Sequence, residues 1–275
     1  MSDQLQDLIA LARRAGEIAM VHYGAVAPEQ KPDHSPVSAA DREVEAFLRQ
    51  RLAALDPQAP CIGEETAQDA AAVERARAAR RVFVVDPIDG TAAFLGELDT
   101  FSVCIGLLEQ GRPSAGVVHL PALGQTYSAA RGLGARWSGP RGTQRLDAGS
   151  WRGRDPSTTC LLAPSRSHLR GRIGYPGKVR SLGCTSLHFV LVARGVGVGA
   201  FSRSQIWDWA AAAAILEEAG GVLRYLDRGA SGAAVDWREL MDGRQASAAL
   251  LGAHPDRWDE LAGCIAAAST ERSAG

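Results

Sequence analysis

A chain of 275 residues and 29.0 kDa can bury a core of its own, so neither a disulfide scaffold nor a structural-metal staple is required to hold it together. With Lys+Arg at 30 against Asp+Glu at 31, the net charge of -1 argues against a protein that coats nucleic acid. Hydrophobic residues at 46% with charged residues at 22% argue against a largely disordered one.

In chain order, Leu5, Leu8, Ile9, Ala12, Ala15 and Ala19 recur at three- and four-residue spacing and predict an amphipathic helix. The mixture of Pro, Lys, Asp, His and Ser over 28–36 predicts a loop, after which Ser38 or Asp41 starts a second helix running through Leu52. Beyond a break at 56–60, Cys61 and Ile62 read as a short strand, and 69–80 as an alanine-rich, charged surface helix. The β-branched run 81–85 predicts a buried strand that stops at Asp86-Pro87. A helical turn is expected over 92–95, then an antiparallel meander over 101–108, 115–120 and 125–130.

The stretch 136–157 is polar. After it, strands at 159–163, 196–201, 221–225 and 248–251 alternate with helices at 186–193, 207–219 and 255–268, and 269–275 reads as a frayed tail. With no repeat and no long linker, an α+β half over 1–145 and an α/β half over 146–275 are expected to share one body. No stretch reaches the roughly 20 apolar residues of a membrane-spanning helix, and the first turn carries Asp3 and Asp7 where a targeting segment would be basic. The five cysteines form no CxxC pair and are odd in number, so a cytoplasmic, reducing setting is expected. The histidines never fall at HxH or HExxH spacing, which leaves carboxylates to hold any metal.

The informative segment is Asp86-Pro87-Ile88-Asp89-Gly90-Thr91. Asp86 ends a hydrophobic strand and Asp89 follows across a proline-stiffened turn, so both carboxylates can enter one small volume, where they repel unless a cation joins them. Gly90 lets the backbone approach a ligand, and Thr91 begins a helix whose unpaired N–H groups favour an anion. Alone, the two acids fit equally well a strand end with an Asp helix cap. Glu64-Glu65 reads as a second acidic pair or as a solvated loop. Asp41 and Asp208, each near a helix start, read as further acids or as caps.

The ordered set is more specific than its parts. Lys31, Ser35-Pro36-Val37-Ser38-Ala39-Ala40-Asp41, Gly63-Glu64-Glu65, Asp86-Pro87-Ile88-Asp89-Gly90-Thr91 and Trp207-Asp208, the last followed by an alanine-rich run and Glu218-Ala219-Gly220-Gly221, resemble the inositol monophosphatase superfamily of magnesium-dependent, lithium-sensitive phosphatases. The resemblance implies an α/β (α+β) chain in a layered αβαβα sugar-phosphatase fold. It implies two to three Mg²⁺ ions: Glu64, Asp86 and the Ile88 carbonyl at the first, Asp86, Asp89 and Asp208 at the second, and Glu64, with Glu65 nearby, at a weaker third.

Thr91 and Asp41 resemble the pair that orients and deprotonates the attacking water. The Gly90 and Thr91 N–H groups would grip phosphate oxygens, and Lys31 would be a loop lysine at the site. The implied reaction is hydrolysis of a phosphomonoester by metal-activated water, without a covalent phosphoenzyme, on a small phosphorylated alcohol or sugar such as inositol 1-phosphate. A 3'(2'),5'-bisphosphate nucleotidase acting on 3'-phosphoadenosine 5'-phosphate is the alternative, and a non-catalytic phosphate- or metal-binding relative the second. The loop 199–206 lacks the acidic residue that inositol monophosphatases place there, which counts against inositol itself; Arg203, whose guanidinium can pair bidentately with a second phosphate, is with Lys31, Arg166 and His168 a candidate for substrate choice. A homodimer is carried by analogy, with neither a nucleic-acid polymer nor a membrane as partner.

Overall fold

In a computed structural model, which describes residues 3–25, 29–30, 36–37, 39–64, 69–167, 173–226, 232–246 and 248–270, the first helix α1 (Asp3–His22) buries the periodic face that its sequence predicts. A two-residue antiparallel pair, β1 (Glu29–Gln30) with β2 (Pro36–Val37), lies within the expected loop. Next come α2 (Ala39–Leu55), β3 (Cys61–Gly63) and α3 (Ala70–Ala78), the last capped by the Asp69 carboxylate, which accepts the Ala71 N–H at 2.9 Å. Although its composition reads as a surface helix, α3 buries Val73 and Ala76.

Then follow β4 (Arg81–Asp89), the short α4 (Thr91–Leu95), β5 (Ser102–Glu109), β6 (Arg112–Leu120) and β7 (Gln125–Ala130). The polar stretch after them holds two further strands, β8 (Gly134–Gly139) and β9 (Gly142–Arg145). All four residues of β9 are exposed, so backbone pairing to β8 forms this edge strand without any apolar alternation to announce it.

The second half runs β10 (Cys160–Leu162), β11 (Lys178–Arg180), α5 (Thr185–Ala193), β12 (Gly197–Ser202), α6 (Ile206–Glu218), β13 (Val222–Tyr225), β14 (Leu250–Ala253) and α7 (Pro255–Thr270). Strand β11 is unheralded for the same reason as β9: three residues, two of them charged and exposed. Helix α7 continues two residues beyond its expected end, and the rest of the expected tail lies outside the described residues.

Strands β3 to β9 form one seven-stranded sheet in sequence order, antiparallel except for the parallel β3–β4 pair. The other sheet has five strands in the order β11-β10-β12-β14-β13. Helices α1 and α2 cover one face of the larger sheet, α5 and α6 fill the space between the sheets, and α7 covers the far face of the smaller one, giving five layers αβαβα. Strand β4 shows why the run 81–85 is apolar throughout: Val82 and Val84 enter the core shared with α5 and α6, while Phe83 and Val85 enter the core under α1 and α2.

Helix α6 lies unusually close to the larger sheet. Gly106 and Gly116 face each other across β5 and β6, and a Cβ on Gly116 would stand 2.1 Å from the Ala211 carbonyl oxygen. A glycine pair below and an alanine run above let backbone meet backbone, and this fixes the helix that carries Asp208.

Candidate active site

A regular strand sends residues 86 and 89 to opposite faces. Here the ladder pairs Asp86 with Cys104 but Asp89 with Ser102, three steps on β4 against two on β5, so one extra residue is taken up at Pro87-Ile88. The bulge returns both carboxylates to one side. Proline brings no N–H that the interrupted ladder would leave unpaired, and the Ile88 N–H donates to Asp86 Oδ1 at 3.0 Å. The strand therefore does not stop at Asp86, as its sequence suggests, but carries both acids.

After the bulge, Gly90 turns the chain through the left-handed region at φ 90° and ψ 40°. A side chain here would be strained by that angle and would bring a Cβ within 2.9 Å of the Gly183 carbonyl oxygen. Thr91 then opens α4, and its hydroxyl donates to the Ile88 carbonyl at 3.1 Å. The residues expected to position water and to lend a carbonyl to the metal are thus in direct contact.

Asp208 arrives from the other half of the chain. It is the third residue of α6 and its Oδ2 accepts the Gln205 N–H at 2.8 Å, so Gln205 is the cap and Asp208 the returning arm of a capping box. Oxygens of Asp86, Asp89 and Asp208 all lie within 4.8 Å of one another. One side chain thus serves the helix start and the acidic cluster, though as the third helical residue and not as the N-cap that its place in the sequence suggests.

Asp89 is also the seat of α5. Its Oδ1 accepts the Thr185 N–H at 3.0 Å, and its Oδ2 accepts the Ser186 N–H at 2.5 Å and the Cys184 thiol at 3.1 Å. Three donors at a helix N-terminus favour an ionised carboxylate. Behind them, Ser102 Oγ lies 2.7 Å from Ser186 Oγ and 3.3 Å from Cys104 Sγ, closing a buried hydroxyl and thiol layer. Residues 184 and 185 escape the sequence reading, which starts this helix at 186. The only local trace is Gly183 ahead of it.

The electrostatics follow from crowding. Burial, then the charges of Asp89, Glu64, Asp208 and Asp41, push Asp86 well above the ordinary carboxylate range. Burial and the Asp89 charge push Asp208 up to about 8. Burial also raises Asp89, against the hydrogen bonds from Ser186, Cys184 and Thr185. Asp41, 1% exposed in the first turn of α2, and the half-buried Glu64 just beyond β3 therefore belong to the same electrostatic field as the three clustered acids.

The donor set fits a hard divalent cation. Magnesium takes oxygen ligands at 2.0–2.1 Å, so opposed ligands stand about 4 Å apart, and carboxylate oxygens already within 4.8 Å need little movement to close on it. Among the other expected site residues, Lys31, Glu65 and His168 lie outside the described residues. Arg166 is exposed in the turn after β10, with no contact to the acids among the described residues. Arg203 is exposed two residues before Gln205, its Nε donating to the Ala246 carbonyl at 2.8 Å.

Known proteins resemble the chain over most of its length. The chain is 38% identical over 237 residues to a histidinol-phosphatase of Mycobacterium tuberculosis, covering 82% of this chain and 88% of that one. It is 32% identical over 236 residues to the 3'(2'),5'-bisphosphate nucleotidase CysQ of Aggregatibacter actinomycetemcomitans, covering 80% and 83%. Its fold matches that of the IMPase of Thermotoga maritima with a TM-score of 0.75 at 24% identity, covering 97% and 98% of the two chains. The model of the inositol monophosphatase family matches residues 1–273. The chain therefore belongs to the inositol monophosphatase family and is a phosphatase, a hydrolase of phosphoric monoesters.

Proposed function

We propose that the protein is a magnesium-dependent phosphomonoesterase acting on a small phosphorylated alcohol, with Asp86, Asp89, Asp208, Glu64 and the Ile88 carbonyl as the metal-holding set. The observation that carries this reading is the meeting of Asp86, Asp89 and Asp208, from two distant segments, within 4.8 Å. When bound, magnesium supplies the positive charge that admits a phosphate and acidifies a water.

The chain's own groups do the rest. Asp41 would take the proton of the attacking water, relayed through the Thr91 hydroxyl once that hydroxyl turns from the Ile88 carbonyl, to which it donates at 3.1 Å. The N–H groups of Gly90 and Thr91 receive phosphate oxygens, Gly90 being the residue whose left-handed turn aims them. Lys31, Arg166, His168 and Arg203 remain the proposed contacts to the alcohol or to a second phosphate. A cytoplasmic setting and a homodimer belong to the same proposal.

The identities support two ester classes beside the inositol 1-phosphate suggested by the motifs: histidinol phosphate at 38% and 3'-phosphoadenosine 5'-phosphate at 32%. Phosphate release from these three, compared by kcat/KM across a Mg²⁺ titration, tests both levels. One ester preferred at least tenfold fixes the substrate class. No release from any ester at any Mg²⁺ concentration overturns the enzymatic reading and favours the non-catalytic alternative.

A further inference from the structure

The smaller sheet separates two environments. Along β12, Ala200 faces α5 and α6 on the side of the acidic cluster, whereas Val198, the extra residue where the pairing with β10 shifts register, joins Leu161, Leu251 and Trp258 on the α7 side. On that second side opens a cavity of about 720 Å³ with Val198 among its walls, in the size range of small-ligand sites. It touches none of the acids discussed above.

Its walls combine aromatic surface with cations. Trp151 and Tyr175 supply the rings, Arg154, Lys178 and Arg257 the positive charge, and Glu260 is the acid among the lining residues. Arg257 is fixed: Nη2 and Nε each lie 2.9 Å from a Glu260 oxygen, and its guanidinium packs 4.9 Å from the Trp151 ring centroid. With that pair neutralised, Arg154 and Lys178 are exposed, and Asp155 lies within electrostatic reach of Lys178, while Arg154 Nε donates to the Ser150 carbonyl at 3.1 Å. Counting Asp155, three cations still oppose two acids.

We infer that this cavity is a second ligand site, for a small aromatic anion. The ring of the ligand packs against Tyr175, Trp151 and Val198, and its phosphate or carboxylate meets Arg154 and Lys178. Guanidinium and ammonium groups bind such anions without a metal. Occupancy is thus independent of divalent cations and of which ester the acidic site hydrolyses.

Titration calorimetry on the full chain in EDTA tests this with AMP and indole-3-acetate as the phosphate and carboxylate forms. Adenosine and inorganic phosphate present ring or charge alone. The expected result is one equivalent of AMP or of indole-3-acetate bound, the preferred one naming the anion, with adenosine and phosphate at least tenfold weaker. The double variant Arg154→Glu with Lys178→Glu should weaken binding at least tenfold, and Trp151→Phe severalfold, both leaving Mg²⁺-dependent phosphate release and the circular dichroism spectrum unchanged. Failure of both anions to bind in EDTA, equal binding of the controls, or undiminished binding by the folded variants would overturn the inference.

Discussion

Asp89 answers to two neighbours at once, the acidic cluster and the first turn of α5. Asp89→Asn removes a metal-holding charge and turns an amide N–H toward a donor in that turn, so both activity and stability should suffer. Turnover should drop by at least about a hundredfold at every Mg²⁺ concentration, with a stability loss of roughly 1–3 kcal/mol in urea unfolding. Near-normal turnover would count against the metal assignment. The three donors on Asp89 are why the change should reach the fold as well as turnover.

A second residue sets a pH limit. His188 Nε2 accepts the Leu182 N–H at 2.9 Å, which requires a neutral ring, and burial lowers its pKa to about 4 from 6.5. His119, buried beneath α1, is lowered to about 4 as well, chiefly by burial. Protons bind the unfolded chain first, so the stability from these rings is complete above pH 6.5 and is lost as pH falls toward 4. The full effect is roughly 3 kcal/mol per ring. Melting temperature should fall across this window, and His188→Gln should flatten the fall.

At the level of elements, α6 rests on a glycine pair, and its tolerance for added volume is small. Gly116→Ala places a methyl against the Ala211 backbone and should cost about 1–3 kcal/mol or more. Gly263→Ala, on the exposed side of α7 with open space around it, should instead stabilise by up to about 1 kcal/mol. Paired thermal melts distinguish the two signs, and equal shifts would show that close packing of α6 is not what these glycines provide.

The same scale shows what was legible. Helices α1 and α2 announce themselves through periodicity, because each buries one apolar face, whereas β4 and α6, buried on all sides, announce themselves as continuous apolar runs. Strands β9 and β11 are short, charged and held by backbone pairing, so no side-chain pattern reports them. Asp86, Asp89 and Asp208 are legible as candidates from residue type and motif, but the bulge that aligns two of them shows only as a proline. The cradle at 184–186 joins Asp89 across about a hundred residues and leaves no local signal.

Considered whole, the molecule gathers its buried negative charge where α2, β4 and α6 converge, and it holds that charge together by the packing of its layers. Mg²⁺ should therefore raise the melting temperature, gaining about 2.7 kcal/mol at a hundred times its Kd, and EDTA should reverse the gain. A melting temperature indifferent to Mg²⁺ would argue that the cluster binds no such ion. No helix among the described residues is long and apolar enough to cross a membrane.

The contact between Gly106, Gly116 and α6 has a consequence for ion choice. Since Asp208 rides on α6 one turn from that contact, the thickness of the interface acts as a calliper on the carboxylates. A wedge such as Gly106→Ala, whose Cβ would press on Ala210 at 2.9 Å, should open the jaws by tenths of an ångström. That increment separates the 2.0–2.1 Å shell of Mg²⁺ from the 2.3–2.6 Å shell of Ca²⁺. If the cluster holds Mg²⁺ as proposed, Gly106→Ala should shift its preference toward Ca²⁺, and unchanged relative affinities of the two ions in titration calorimetry would show that the interface does not set the spacing.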